Sequence, residues 1–72
     1  MIAPTTALCT DVRGVAVMLD LSVRSVHRLN DGAKMPAPIT FGRAKRWRIA
    51  EIDAWLRAGS PPRDRWTWSE SS

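Results

Sequence analysis

The chain has 72 residues, which is enough for one small domain around a single core. Its apolar share of 44% is typical of a globular protein, so we expect it to fold without a cofactor. Cys9 is the only cysteine and His27 the only histidine, which excludes an internal disulfide and a zinc site of the Cys/His type. No apolar run reaches the roughly twenty residues of a membrane helix, and no signal-peptide pattern is present, which together predict a soluble cytoplasmic protein.

The positive charge is concentrated in the middle of the sequence. Seven of the eleven Lys and Arg residues lie between Arg24 and Arg48, where Asp31 is the one acidic residue. The flanking segments are acidic on balance. This distribution predicts one cationic surface that attracts phosphates.

The first predicted helix spans Val12 to Leu19 in "DVRGVAVMLDL". Its apolar residues recur at helical spacing, and the Asp11 side chain can accept a free backbone N–H as the N-cap. Gly14 weakens this helix by roughly 1 kcal/mol relative to Ala, so packing against the rest of the domain has to stabilise it.

A second helix is predicted from Val23 to Asp31, with Ser22 as the N-cap and Gly32 at its end. Its apolar side carries Val23, Val26 and Leu29. Two short helices separated by so few residues match the layout of a helix-turn-helix. The other side of the second helix presents Arg24, Ser25, His27 and Arg28.

The prolines of "MPAPI" end the helical pattern, and a two-stranded hairpin follows in "ITFGRAKRWRI". We expect "GRAK" to reverse the chain and to form a basic tip. Strand alternation allows one face to carry Ile39, Phe41, Trp47 and Ile49, which would attach the hairpin to the core, and the other to carry Thr40, Arg46 and Arg48.

A third helix is predicted from Ala50 to Ala58, followed by a tail that is disordered or ordered only by a partner. Trp66 and Trp68 in this tail could cover the domain's own core, or contact a neighbouring protomer or another protein. The predicted divisions are an arm over residues 1–10, a domain over 11–59 and a tail over 60–72. The fold is predicted as mostly α with a small β-hairpin, in the order of a winged helix-turn-helix.

The stretches "SVRSVHRLNDG", "MPAPITFG" and "KRWRIAEIDAWL" resemble the winged-helix excisionases (recombination directionality factors) of temperate phages. They are similar also to the related prophage regulators of the AlpA type, whose fold is akin to the MerR DNA-binding domain. With the first helix, the resemblance covers about residues 11–57.

The resemblance implies that Arg24, Ser25 and Arg28 enter the major groove of DNA, with His27 beside them. It also implies that the "GRAK" turn is a wing, whose Arg43 and Lys45 reach phosphates or the adjacent minor groove; Arg46 adds to this basic group. Trp47 and Trp55 match core positions of the family. The sequence departs from the family at three helix-end positions, namely Gly14, Asp20 and Ala50.

Three functions stay open at this point. An excisionase-like protein would bind attachment-site DNA side by side with further copies, bend it and direct a phage integrase toward excision. A transcriptional regulator would instead occupy a promoter, and a protein-interaction module would use the tail tryptophans. Enzymatic activity is disfavoured because the sequence gives the lone His27 no catalytic partner. Arginines on a short helix can also form a merely solvated face.

Overall fold

The computed structural model describes residues 7–68, which form three α-helices and a three-stranded antiparallel sheet. The first two helices have the predicted bounds, and the third begins and ends one residue earlier than predicted. In chain order the elements are β1 (Cys9–Thr10), α1 (Val12–Leu19), α2 (Val23–Asp31), β2 (Ile39–Phe41), β3 (Ala44–Arg48), α3 (Ile49–Arg57) and a 3₁₀ turn (Arg63–Arg65).

The predicted hairpin is present as β2 and β3, but it belongs to a larger sheet than the sequence predicts. The strand order is β1-β3-β2, and β1 pairs Cys9 with Arg48 and Thr10 with Trp47. Part of the predicted arm is therefore a strand. The backbone N–H of Ile49 at the start of α3 donates to the Leu8 carbonyl at 2.9 Å, which extends this connection.

The predicted faces of the hairpin are wrong. The chain reverses over Gly42 and Arg43 alone, so Phe41 pairs with Ala44 and Ile39 with Arg46. Directly paired residues share a face. The inner face, toward the helices, consequently carries Thr10, Thr40, Lys45 and Trp47, whereas the outer face carries Cys9, Ile39, Phe41, Ala44, Arg46 and Arg48.

This register leaves Phe41 58% exposed, so it does not attach the hairpin to the core as predicted. Trp47 has that role. Its side chain is 3% exposed, and its indole Nε1–H donates to the Pro36 carbonyl at 2.9 Å. The core contains residues from all three helices, β3 and the loop after α2: Val15, Ala16, Val26, Met35, Trp47, Ile52 and Trp55.

Both predicted N-caps are confirmed. The backbone N–H of Gly14 donates to Asp11 Oδ1 at 3.1 Å, and that of Ser25 donates to Ser22 Oγ at 3.1 Å. These bonds satisfy backbone donors that the first turn of a helix leaves without an intrahelical partner. The residue before α3, Arg48, makes no such side-chain cap.

The segment after α3 is packed against the domain rather than lacking structure, which corrects the prediction for residues 60–68. Trp55 Nε1–H donates to the Pro61 carbonyl at 2.8 Å, and Trp66 Nε1–H donates to Glu51 Oε2 at 3.0 Å. Trp66 also packs against the core, as one of the sequence hypotheses proposes. Of the predicted arm and tail, residues 1–6 and 69–72 lie outside the described residues.

Candidate nucleic-acid interface

One face of α2 is exposed and carries two arginines. Val26 is fully buried and Leu29 partly buried, which fixes the opposite side of the helix against the core. The amphipathic pattern therefore turns the polar residues outward. The exposed residues at i, i+3, i+4 and i+7 spacing are Arg24, His27, Arg28 and Asp31.

Ser25 differs from the other predicted residues of α2 because it takes part in the N-cap. It is half-buried, and its hydroxyl accepts a hydrogen bond from Ser22 Oγ at 3.0 Å. Its oxygen therefore has one partner within the protein. The hydroxyl hydrogen remains for a further acceptor.

The hairpin places its three predicted cations in different positions. Arg43 lies in the turn, where Gly42 adopts a φ of 65° that a side chain would disfavour. Lys45 lies in β3 rather than in the turn, and it is exposed on the inner face. Arg46 is half-buried on the outer face, and its Nη1–H donates to the Lys45 carbonyl at 2.9 Å.

A groove of about 330 Å³ lies between α2 and the hairpin, and we call it the α2–hairpin groove. It brings His27 of α2 together with Arg43 and Lys45, which are distant in sequence. Asp11, whose carboxylate caps α1, and Asp31 reduce the positive charge of this groove. Its lining residues are Asp11, Val12, His27, Asn30, Asp31 and the hairpin residues 43–47.

The remaining predicted residues of α2 lie outside this groove. Ser25 and Arg28 line a second groove of about 360 Å³, which extends to Lys34 in the loop after α2. Arg24 lines neither groove and is exposed beside them. The predicted cations thus lie on two sides of α2, with Arg43 and Lys45 in one groove and Arg28 in the other, and do not form a single cluster.

Sequence reasoning missed two residues of this surface. Lys34 is exposed and extends the Arg28 side, and Asn30 lines the α2–hairpin groove. Lys34 belongs to the basic middle of the sequence, which was a usable signal. Asn30 gave none, because its place in the groove depends on how α2 lies relative to the hairpin.

Residues 7–68 contain neither a cluster of metal-ligating side chains nor a membrane-spanning helix. No group of three or more His, Cys, Asp or Glu residues lies close enough to hold a metal there. Cys9 is a half-buried free thiol. Within the same part of the chain, no helix has the length and apolar character needed to cross a membrane.

Comparison with known proteins gives no relative on which to base a function. No family model, no curated protein and no solved structure matches this chain. The function is therefore inferred from the residues of this chain.

Proposed function

We propose that this chain is a sequence-specific, architectural DNA-binding protein of the winged helix-turn-helix type, and that it catalyses no reaction. The observation that supports this function is the α2–hairpin groove, where His27 lies with Arg43 and Lys45. Two successive elements of the chain thereby offer hydrogen-bond donors and positive charge to one ligand. Double-stranded DNA is a ligand that presents both base edges and phosphates.

In this proposal α2 is the recognition helix. Nine residues give a helix about 14 Å long, and an α-helix fits the major groove, which is about 12 Å wide. Arg24, His27 and Arg28 on the exposed face meet base edges or phosphates. An arginine fork binds guanine O6 and N7 with two hydrogen bonds, which makes Arg28 and Arg24 the candidates for direct base readout.

The hairpin is the wing. Arg43 at the turn and Lys45 on the inner face contact phosphates beside the major groove, and Lys34 does so from the other side of α2. Arg46 lies on the outer face and contributes mainly to the positive field. Contacts of this kind position the protein on DNA without selecting a sequence.

The excisionase-like role follows from the resemblance of residues 11–57 and from the size of the domain. A single domain this small covers few base pairs, so useful specificity requires several copies side by side. Such an array would bend attachment-site DNA and bias a phage integrase toward excision. Regulation of prophage genes from a promoter is the alternative.

Selection of binding sites from a random duplex library with the purified chain, followed by salt titration, tests this proposal. If one copy neutralises about five phosphates, log K falls with log salt at a slope of roughly −4.5. Direct repeats about 10–10.5 bp apart favour the excisionase, whereas single or inverted sites favour the regulator. No enrichment, with binding that is insensitive to salt, contradicts DNA binding.

Two substitutions separate base readout from phosphate binding. We expect Arg28→Ala to relax the selected sequence at one position, by about 1–3 kcal/mol of discrimination. Lys45→Ala should weaken binding to all DNA about equally and reduce the salt slope by about 1. Arg57→Ala is the control, because it removes the same charge from an exposed residue that pairs with Asp53 on α3. Equal effects of all three would mean that only net charge matters.

A further inference from the structure

Arg63 connects the segment after α3 to the end of α2. Its Nη2–H group donates to Asn30 Oδ1 at 2.8 Å and to the Asn30 carbonyl at 3.4 Å. Its Nε–H donates to the Met35 carbonyl at 2.9 Å, and its backbone N–H donates to the Ala33 carbonyl at 3.0 Å. One residue therefore holds both the last turn of α2 and the loop that follows it.

The same segment is fixed to α3 on both sides of Arg63. The bond from Trp55 to the Pro61 carbonyl precedes Arg63, and the bond from Trp66 to Glu51 follows it. Trp66 also packs against the core. Residues 61–66 thus form a brace between α3 and α2, and Arg63 is its contact with α2.

The position of the α2 end matters for the α2–hairpin groove. Asn30, which Arg63 holds, lines that groove, and His27 lies one helical turn before it. A displacement of this turn would change the distances from His27 to Arg43 and Lys45. Hydrogen bonds to several acceptors at fixed angles suit the rigid guanidinium fork, which a lysine cannot reproduce.

We propose that Arg63 is a positioning residue for DNA recognition, which sets α2 against the hairpin and contacts no base. This inference rests on the proposed function. Arg63 lies outside the interface, because its Nε and Nη2 groups already donate to Met35 and Asn30. Part of the sequence discrimination would therefore come from a residue that does not touch DNA. Loss of Arg63 should then affect the selected site more than unrelated DNA.

The test compares Arg63→Ala and Arg63→Lys with Arg65→Ala, which removes an exposed arginine from the same 3₁₀ turn. Affinities are measured for the selected site and for an unrelated duplex at several salt concentrations. We expect both Arg63 variants to lose about tenfold in the ratio of the two affinities, comparable to one wrong base pair. The salt slope of Arg63→Ala should equal that of Arg65→Ala.

Hydrogen exchange of the free protein provides a readout that needs no DNA. The amides of Ala33 and Lys34, which bond to Asn30 and Leu29, should exchange faster in the Arg63 variants than in Arg65→Ala. Circular dichroism identifies the variants that fold. If Arg63→Ala does not fold, the affinities and exchange rates of Arg63→Lys provide the test.

Wild-type affinity ratios in a folded Arg63 variant would overturn the inference while leaving DNA binding intact. Failure of both variants to fold would overturn it as well, because Arg63 would then act on stability alone. A wild-type chain that selects no DNA would overturn the proposed function, and the role of Arg63 with it.

Discussion

At the scale of single residues, Gly14 is explained by the space that it leaves for β1. A Cβ at this position would lie 2.8 Å from Thr10 Cβ and would collide with Thr10 Oγ1. The sequence shows only a poor helix former in the first turn of α1. The reason for the glycine is the adjoining strand β1. This strand could not be predicted from the sequence, because its two residues, Cys9 and Thr10, are too few to show an alternating apolar pattern.

We therefore expect Gly14→Ala to lower the free energy of unfolding by about 1–3 kcal/mol, because β1 has to move away from α1. This is the net loss that remains after the gain of about 1 kcal/mol in helix propensity. Gly32→Ala is the control, since Gly32 has an ordinary φ of −88° and a Cβ there would meet its nearest atom at 3.4 Å. Urea unfolding followed by tryptophan fluorescence measures both. A Gly14→Ala protein as stable as the wild type would contradict this packing.

At the scale of elements, all three helices end in the same way. The residue after the left-handed position donates its backbone N–H to a carbonyl in the last helical turn, at 2.9 Å in each case. This is the Schellman motif, which favours glycine at the left-handed position. Only α3 has one there, Gly59, whereas α1 uses Asp20 with φ 57° and α2 uses Ala33 with φ 54°.

Ala33→Gly should consequently stabilise the protein by about 1 kcal/mol, because a left-handed residue with a Cβ costs about 1–2 kcal/mol and glycine loses somewhat more entropy on folding. The reciprocal change, Gly59→Ala, should destabilise it by a similar amount. Thermal unfolding of the two variants beside the wild type checks this pair. A lower melting temperature for Ala33→Gly would contradict the expected relief of strain.

The sequence predicted these elements unequally, for physical reasons. The bounds of α1 and α2 followed from local signals, since Asp11 and Ser22 cap the helices and the apolar spacing continues to their ends. The faces of the hairpin did not follow from local signals. Alternation shows which residues of one strand share a face, but it does not show how two strands align. That alignment depends on the two-residue turn at Gly42 and Arg43. Of the candidate site, the cations were predictable, but the distribution of His27 and Arg28 between two grooves was not.

At the scale of the whole molecule, the C-terminal segment completes the core although its composition is that of a tail. Serine, proline and charge dominate residues 60–65, so the sequence predicts no packing there. The contacts come from Trp66 and Arg63, whose partners lie on α3 and α2. The two tail tryptophans accordingly have different surroundings. Trp68 is half-buried on the outer face, with the Arg48 guanidinium 5.9 Å from its ring centre.

Substitution of the two tryptophans separates these roles. We expect Trp66→Ala to cost about 3 kcal/mol of stability, because it opens a cavity beside the core and leaves Glu51 without its indole partner. Trp68→Ala should cost about 1 kcal/mol or less, because it removes the cation–π contact with Arg48, whose side chain is exposed. Chemical unfolding of both proteins provides the comparison. Equal losses would show that Trp66 contributes no more to the core than Trp68.

The pairing of β1 with β3 also determines where anything attached to this domain would emerge. Leu8 and Cys9 near one end of the described chain, and Trp68 at the other, line a common groove on the outer face of the sheet. Lys45, on the inner face, points to the opposite side. A flexible linker attached at Leu8 or at Trp68 would therefore leave the described domain on the outer face of the sheet. A short peptide joining Trp68 to Leu8 would permit circular permutation of the described domain, with new termini opened in the exposed turn after α3.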